Sequence, residues 1–411
     1  MYGLFHKYHH FSSFDQVKSL PNILNTKYFT GLIGKKHVGP ETNFAFDFEH
    51  SEQTESIMQV GRNITRIHEL TKLFFDKFQV SKKKYWFLYV AFHDPHRCGH
   101  THPEFGAFCE SFGNEVTMPG YKPQYFDSDK VVLPDFIPKT EINRIEIAKQ
   151  WTAISRLDQG IGLVTGEVEK RFNELGKNSE ILAIFTSDNG DPFPDGRTNL
   201  YRGGLNVPFV MTKFSKEIKF SPELDATPVS HFDIVPTILN FVNISTHLPK
   251  IFGRKTTFSG TSLITKRGSK KRCIFSTHSF HEISMPYAMR SIQCGRYKLI
   301  WNMHHSMKFP IDQDFFISDS FQEIMNRTKH GEQLKWTKTY KQYRERSEFE
   351  GFIVRRNREI PVELDGAVRG LLWRRLMAWL EKTNDPFRCG VNAVLQDSGN
   401  YKNNPVCLKL I

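Results

Sequence analysis

Residues Ala183-Ile184-Phe185-Thr186-Ser187-Asp188-Asn189-Gly190 form an apolar, β-rich run that stops at an acid, an amide and a glycine. A strand ending this way presents hard oxygen donors at the carboxyl edge of a sheet, where open α/β folds bind their ligands. Asp188 and Asn189 therefore read as half of a divalent-cation site, although the same tripeptide is also ordinary turn chemistry. Two further clusters follow strand-like segments. Gly31-Leu32-Ile33-Gly34 leads into Lys35, Lys36 and His37; in an extended segment Lys35 and His37 share one face, so one anion could meet both. Tyr85 to Phe92, aromatic and β-branched, opens into His93-Asp94-Pro95-His96-Arg97. There Pro95 ends regular structure and leaves acid/base groups on a loop. His93, His96, His100 and His102 also carry a nitrogen spacing that suits zinc, but Pro95 prevents a regular helix from aligning them.

Those clusters need a scaffold, and the apolar pattern supplies one. Runs at 29–33, 85–92, 181–187 and 207–211 read as strands, and 141–158 and 229–242 as helices, the alternation expected of a mostly parallel sheet covered on both faces in an α/β fold. After about residue 260 the pattern changes to short strands at 272–277, 289–293 and 297–301, which divides the chain into 1–260 and a smaller antiparallel α+β part, 261–411. Leu364, Val368, Leu371, Leu372, Leu376, Trp379 and Leu380 recur at helical spacing, as a packed core face would. The stretch 101–138, rich in proline, glycine and aromatics, reads as an ordered insertion.

Composition narrows the function classes. The 411 residues are 39% hydrophobic, enough to bury a substantial core, with 56 basic against 44 acidic side chains. Basic runs at 82–84, 266–272 and 344–358 point to an anionic partner or to plain solvated loops. No zinc-finger, RNP-type or basic-zipper pattern accompanies them, so nucleic acid is not expected and a sulfated polysaccharide fits better. No run is long enough to span a membrane, and residues 1–20 are too polar for a signal peptide. Cys98 with Cys109, and Cys389 with Cys407, each close a short local ring, as oxidised domains do; Cys273 and Cys294 are left unpaired. Asn63, Asn243 and Asn326 stand in glycosylation sequons. Together these favour an exported glycoprotein.

Gly34-Lys35-Lys36-His37, Asp94-Pro95-His96, Ser187-Asp188-Asn189-Gly190 and Val235-Pro236-Thr237-Ile238-Leu239 after Asp233 resemble the sulfatase family of the alkaline-phosphatase-like superfamily. Longer strings are similar to the branch acting on N-sulfated glucosamine: Lys36 to Thr42, Val60 to Arg66, Phe92 to His100, Gly196 to Tyr201, and Phe309-Pro310-Ile311-Asp312-Gln313-Asp314-Phe315. The resemblance implies an alkaline-phosphatase-like fold, removal of N-linked sulfate during heparan sulfate degradation, a Ca2+ ion and a formylglycine nucleophile. It also implies heparan sulfate-derived oligosaccharides as partners, a lysosomal or secretory location, pairing of Cys98 with Cys109 and of Cys389 with Cys407, and a homodimer as one assembly open to the chain. By position, Asp188 and Asn189 would bind calcium, Lys35 and Arg197 would clamp sulfate, His37 would serve as base, and His96 would stabilise or protonate the leaving nitrogen. Asp94 would touch substrate or orient its loop, and Lys36 would be a neighbour only.

Two departures qualify that picture. None of the six cysteines is followed by x-Pro-Ser-Arg, the element that yields formylglycine. The chain is therefore expected to begin inside the family's large domain and to lack activity as it stands. The alternative is a glycan-binding protein with a degenerate pocket. Between 347 and 370 the family's usual strand and turn are missing, leaving that part of the carboxyl region open.

Overall fold

The computed structural model describes residues 4–5, 11–13, 17–98, 118–176, 179–215, 227–244, 258–265, 272–281, 285–355 and 358–410. Its strands are β1 (Leu4–Phe5), β2 (Phe11–Ser13), β3 (Tyr28–Gly34), β4 (Val38–Gly39), β5 (Phe48–Ser51), β6 (Tyr85–Ala91), β7 (Glu180–Thr186), β8 (Phe209–Ser215), β9 (Cys273–Phe280), β10 (Pro286–Cys294), β11 (Tyr297–Asn302), β12 (Phe349–Arg355), β13 (Arg358–Pro361), β14 (Ala393–Gln396) and β15 (Val406–Lys409).

β3 is buried along almost its whole length, as a parallel strand covered on both faces must be. It pairs in parallel with β5 and β6, with Gly34 opposite both Ser51 and Ala91. The three strands thus end at one edge, and the residues that follow them leave the sheet together. The helix Ile64–Val80 begins where the Asn63 side chain accepts from the Arg66 amide at 3.0 Å. Its Ile67, Leu70, Phe74 and Phe75 pack on Phe29, Ile33 and Phe48, with Val164 and Val168 of the helix Glu141–Asn173 against the same cluster. That helix, capped by Thr140, runs well past the expected 158, since no proline interrupts it. β7 pairs only with β8, antiparallel, among the described strands. Phe185, Val210 and Phe214 stay exposed, so the run read as a buried strand is only half covered.

The carboxyl half is a five-stranded antiparallel sheet in the order β13-β12-β11-β10-β9. The helix Gly366–Lys382 lays Leu372, Leu376, Trp379 and Leu380 on Ala288, Ile292, Leu299 and Trp301; Leu371, off that stripe, is exposed. The other face carries Tyr287, Met289, Ile300 and Phe352 packed with Phe309, Phe315, Phe321, Leu200 and Tyr201. Each fully buried aliphatic or phenylalanine side chain contributes about 1.5–3 kcal/mol. The region left open by sequence, 347–370, supplies β12 and β13. Cys273 and Cys294, expected to be unpaired, form a disulfide because β9 and β10 place them directly opposite each other. Cys389 and Cys407 are bonded as expected. Cys98 is disulfide-bonded, while Cys109, like most of the expected insertion before residue 118, lies outside the described residues.

Candidate active site

The site starts where β3 stops. Gly34 has φ 105°, and a Cβ there would sit 2.1 Å from the Ala91 carbonyl oxygen, so only glycine lets the chain leave the strand this close to β6. The next amide, of Lys35, donates to that same oxygen at 2.9 Å. Glu52, just beyond β5, then gathers the turn: it accepts from the Lys36 amide at 2.8 and 2.9 Å and from the His37 amide at 3.2 Å. Its Oε1 lies 3.6 Å from His37 Nε2. His37 consequently has φ 51°, and the segment is not the extended one the sequence suggested. The two lysines still diverge. Lys36 is buried, with Nζ 2.8 Å from Glu41 and 2.7 Å from Glu49. It is therefore a structural ion pair and more than a bystander. Lys35 is half-buried; burial lowers its pKa, Asp188 and Glu52 oppose that shift, and Arg197 and Arg62 add to it.

The loop after β6 contributes from the same edge. The His93 ring lies 6.3 Å from that of His37 and 5.2 Å from that of His96. Burial, with the charges of Arg62 and Lys35, keeps His93 neutral far below the usual histidine range. Asp94 is buried and committed: Arg62 Nη1 donates to Oδ1, and Arg156 donates to Oδ2 at 2.7 Å and to Oδ1 at 3.0 Å. This geometry favours the loop-orienting alternative, since both Asp94 oxygens are engaged by buried guanidinium groups. Arg62 also donates to the His96 carbonyl at 3.0 Å, and Arg97 makes a bidentate contact with Glu146 at 3.0 and 2.8 Å, which ties the loop to the helix Glu141–Asn173. Arg62 stands inside the Val60 to Arg66 string, a signal that could have flagged it; Arg156 is one cation on an ordinary helix and gave none.

The last wall follows β7. Gly190 packs so closely on Gly203 that a Cβ would lie 1.8 Å from the Gly203 carbonyl oxygen, which fixes the Asp188-Asn189-Gly190 turn. Arg197 donates Nη1–H to His96 Nε2 at 3.0 Å, and Nη2–H to Asp312 Oδ1 at 2.8 Å and Asp314 Oδ2 at 3.2 Å. His96 Nδ1 lies 2.8 Å from the Arg97 carbonyl, which can only accept, so Nδ1 carries the proton and Nε2 offers its lone pair to Arg197. Burial and the Arg197 charge push the His96 pKa down to about 4. His96 is thus a neutral acceptor here, not a ready proton donor. Asp312 and Asp314 escaped sequence reasoning although they lie in the Phe309 to Phe315 string, because nothing local says that this string faces Arg197.

For a hard cation the donor chemistry fits in part. Asp188 and Asn189 are exposed at the end of β7 and offer oxygens, whereas calcium takes six to eight. Among the described residues no third histidine, cysteine or acid joins them, so they would supply two ligands of a larger set. For the zinc alternative, His100 and His102 lie outside the described residues. Of the three sequon asparagines, Asn63 is buried, caps the helix Ile64–Val80 and donates from Nδ2 to Gln59 at 2.9 Å. Asn243 and Asn326 are exposed.

A family model for sulfatases matches residues 1–244. The chain is 41% identical over 426 residues to N-sulphoglucosamine sulphohydrolase of Homo sapiens, an alignment covering 100% of this chain and 82% of that protein. It is 24% identical over 255 residues to an ulvan-active sulfatase of Formosa agariphila, covering 60% of this chain and 40% of that one. Among solved structures, a protein in complex with its substrate D-glucosamine-2-N,6-O-disulfate is 14% identical with a TM-score of 0.47, covering 91% of this chain and 84% of the other. With the family model spanning more than half of the sequence and a relative matching its whole length, the chain belongs to the sulfatase family of hydrolases.

Proposed function

We propose that this pocket binds the N-linked sulfate of glucosamine in oligosaccharides derived from heparan sulfate and serves its hydrolysis. The observation that carries the reading is that Lys35, His37 and His96 leave one sheet edge together, with Arg197 on His96 Nε2 and Asp188 beside Lys35. Lys35 and Arg197 would pair with sulfate oxygens, a pairing strengthened by partial burial. His37, its amide and ring held beside Glu52, would take or return a proton. Asp188 and Asn189 would hold part of a calcium ion, which when bound polarises sulfate oxygens. Residues 1–260 would form the unit bearing this chemistry and 261–411 a second unit that braces it. We further read the protein as exported to the secretory pathway or lysosome, glycosylated at Asn243 and Asn326, and able to form a homodimer. Among the described residues no helix is long and apolar enough to cross a membrane.

The 411 residues contain no Cys-x-Pro-Ser-Arg element. The chain by itself should therefore bind N-sulfoglucosamine without turning it over, since clamps without a nucleophile forfeit several orders of magnitude in rate. Calorimetric titration tests this. N-Sulfoglucosamine should bind the chain, N-acetylglucosamine should bind at least about tenfold more weakly, and Arg197→Gln should erase the difference. Equal affinity for the two sugars would sink the substrate assignment, and measurable sulfate release would sink the claim of inactivity.

A further inference from the structure

We infer that Asp314 is a positioning residue: when an anion takes hold of Arg197, Asp314 receives His96 Nε2 and holds that histidine in its proton-donating form. The inference rests on reading the pocket as a sulfate site. Asp312 and Asp314 both hold Arg197 but are not equivalent. Asp312 is buried, and its Oδ1 also accepts from the Phe315 amide at 3.0 Å at the start of the helix Gln313–Phe316, so it is a fixed anchor. The Asp314 side chain is 31% exposed and its Oδ2 lies 3.8 Å from His96 Nε2. A shortening of about 1 Å would make that a hydrogen bond.

Around the His96 ring stand Arg197 from the loop after β7, Lys35 from the end of β3, His93 on its own loop, and Asp314, which alone among these is negative. Arg197 Nη1 now occupies the Nε2 lone pair, and Arg197 Nε is buried without a partner among the described residues. A sulfate drawing Nη1–H away would free the lone pair and offset the cationic field. Nε2 then binds one proton from solvent, Nδ1–H stays on the Arg97 carbonyl, and the new Nε2–H donates to Asp314. The imidazolium would thus form only after the sulfate arrives.

The test is proton uptake on binding, measured by titrating N-sulfoglucosamine into the chain in two buffers of different ionisation enthalpy near about pH 5.5. Native protein should take up a large fraction of one proton. Asp314→Asn should bind within about threefold of native yet take up little, and His96→Gln should take up none. Binding without uptake, uptake retained in His96→Gln, or native uptake in Asp314→Asn would each overturn the inference while leaving the sulfate site standing. Failure of native protein to bind the sugar would overturn both.

Discussion

Lys35 and His37 reach the pocket because the strand that carries them ends there, whereas Arg197 reaches it because carboxylates 115 and 117 residues away hold it there. The first half of the site is local: parallel register, one glycine at φ 105° and the Glu52 carboxylate set its geometry. The second half is tertiary. Beyond Arg197, Asn199 accepts from Arg346 at 2.6 Å and Tyr201 donates to Glu350 at 2.8 Å, so the whole loop is pinned to the antiparallel sheet. A pocket wall built by backbone should tolerate change in distant side chains, and one anchored on the buried Asp312–Arg197 ion pair should not tolerate loss of that anchor.

The largest effect should come from Asp94, the joint of the histidine loop. Asp94→Ala removes the one carboxylate that Arg62 and Arg156, both buried, share, and removing one partner from a buried ion cluster costs about 3–5 kcal/mol. Urea denaturation measures it. A loss below about 1 kcal/mol would mean that both arginines find water, and that this loop is not braced as described.

Next come the two lysines, which separate stability from binding within the local half. Lys36→Met leaves Glu49 without its cation in a mostly buried place and should cost about 1–3 kcal/mol while leaving N-sulfoglucosamine affinity unchanged. Lys35→Met should do the reverse. Burial already disfavours its charge, so stability should hold, while affinity falls about tenfold with the loss of a sulfate partner. Parallel losses in both variants would show that the turn does not sort the two side chains.

Acid offers a comparison of the two halves. His96 in the pocket and His278 on β9 of the antiparallel sheet are both pushed down to about 4, chiefly by burial. The unfolded chain binds protons on both near about pH 6.5. Between that pH and about 4 it holds protons the native protein does not, so stability present above pH 6.5 is lost progressively as the pH falls to about 4. His278→Gln should flatten that decline with or without N-sulfoglucosamine, whereas His96→Gln should flatten only the part the ligand alters. Thermal denaturation across this window distinguishes them, and an identical ligand dependence for both would show that the halves are coupled.

The same contrast explains what could be read from sequence. Strands at 29–33, 85–92 and 181–187 were visible because apolar runs bounded by glycine or proline are a local signal. Lys35, His96 and Asp188 were visible because they follow those runs directly. Glu52 was not, since β5 is four residues long with charged members, and its alignment with β3 is a tertiary fact. Asp314 was not, because an acid on a four-residue helix carries no sign of what it faces. Lys36 was undervalued because an ion pair with Glu49 crosses two strands' ends and leaves no spacing in the chain. Cys273 and Cys294 needed the β9–β10 register before their pairing made sense.

The smallest expected effect lies in the basic run from Arg344 to Arg358, which composition treats as one feature. Arg346 is buried, its guanidinium 3.4 Å from the Phe309 ring centroid, so its charge is spent on the fold. Arg358 is different: its side chain is 70% exposed and meets Asp135, itself 43% exposed, at 3.0 Å. Exposed pairs of this kind gain little Coulomb energy in water and lose side-chain entropy, so Arg358→Ala should change stability by less than about 1 kcal/mol. That residual should shrink further with added salt, which screens exposed charges within about 10 Å at 0.1 M. Denaturation at low and high salt reads it directly. A loss that exceeds this range and ignores salt would mean that the Asp135 contact braces the segment before the helix Glu141–Asn173 through packing, and so would extend the tertiary half of the molecule to a place assigned above to charge alone.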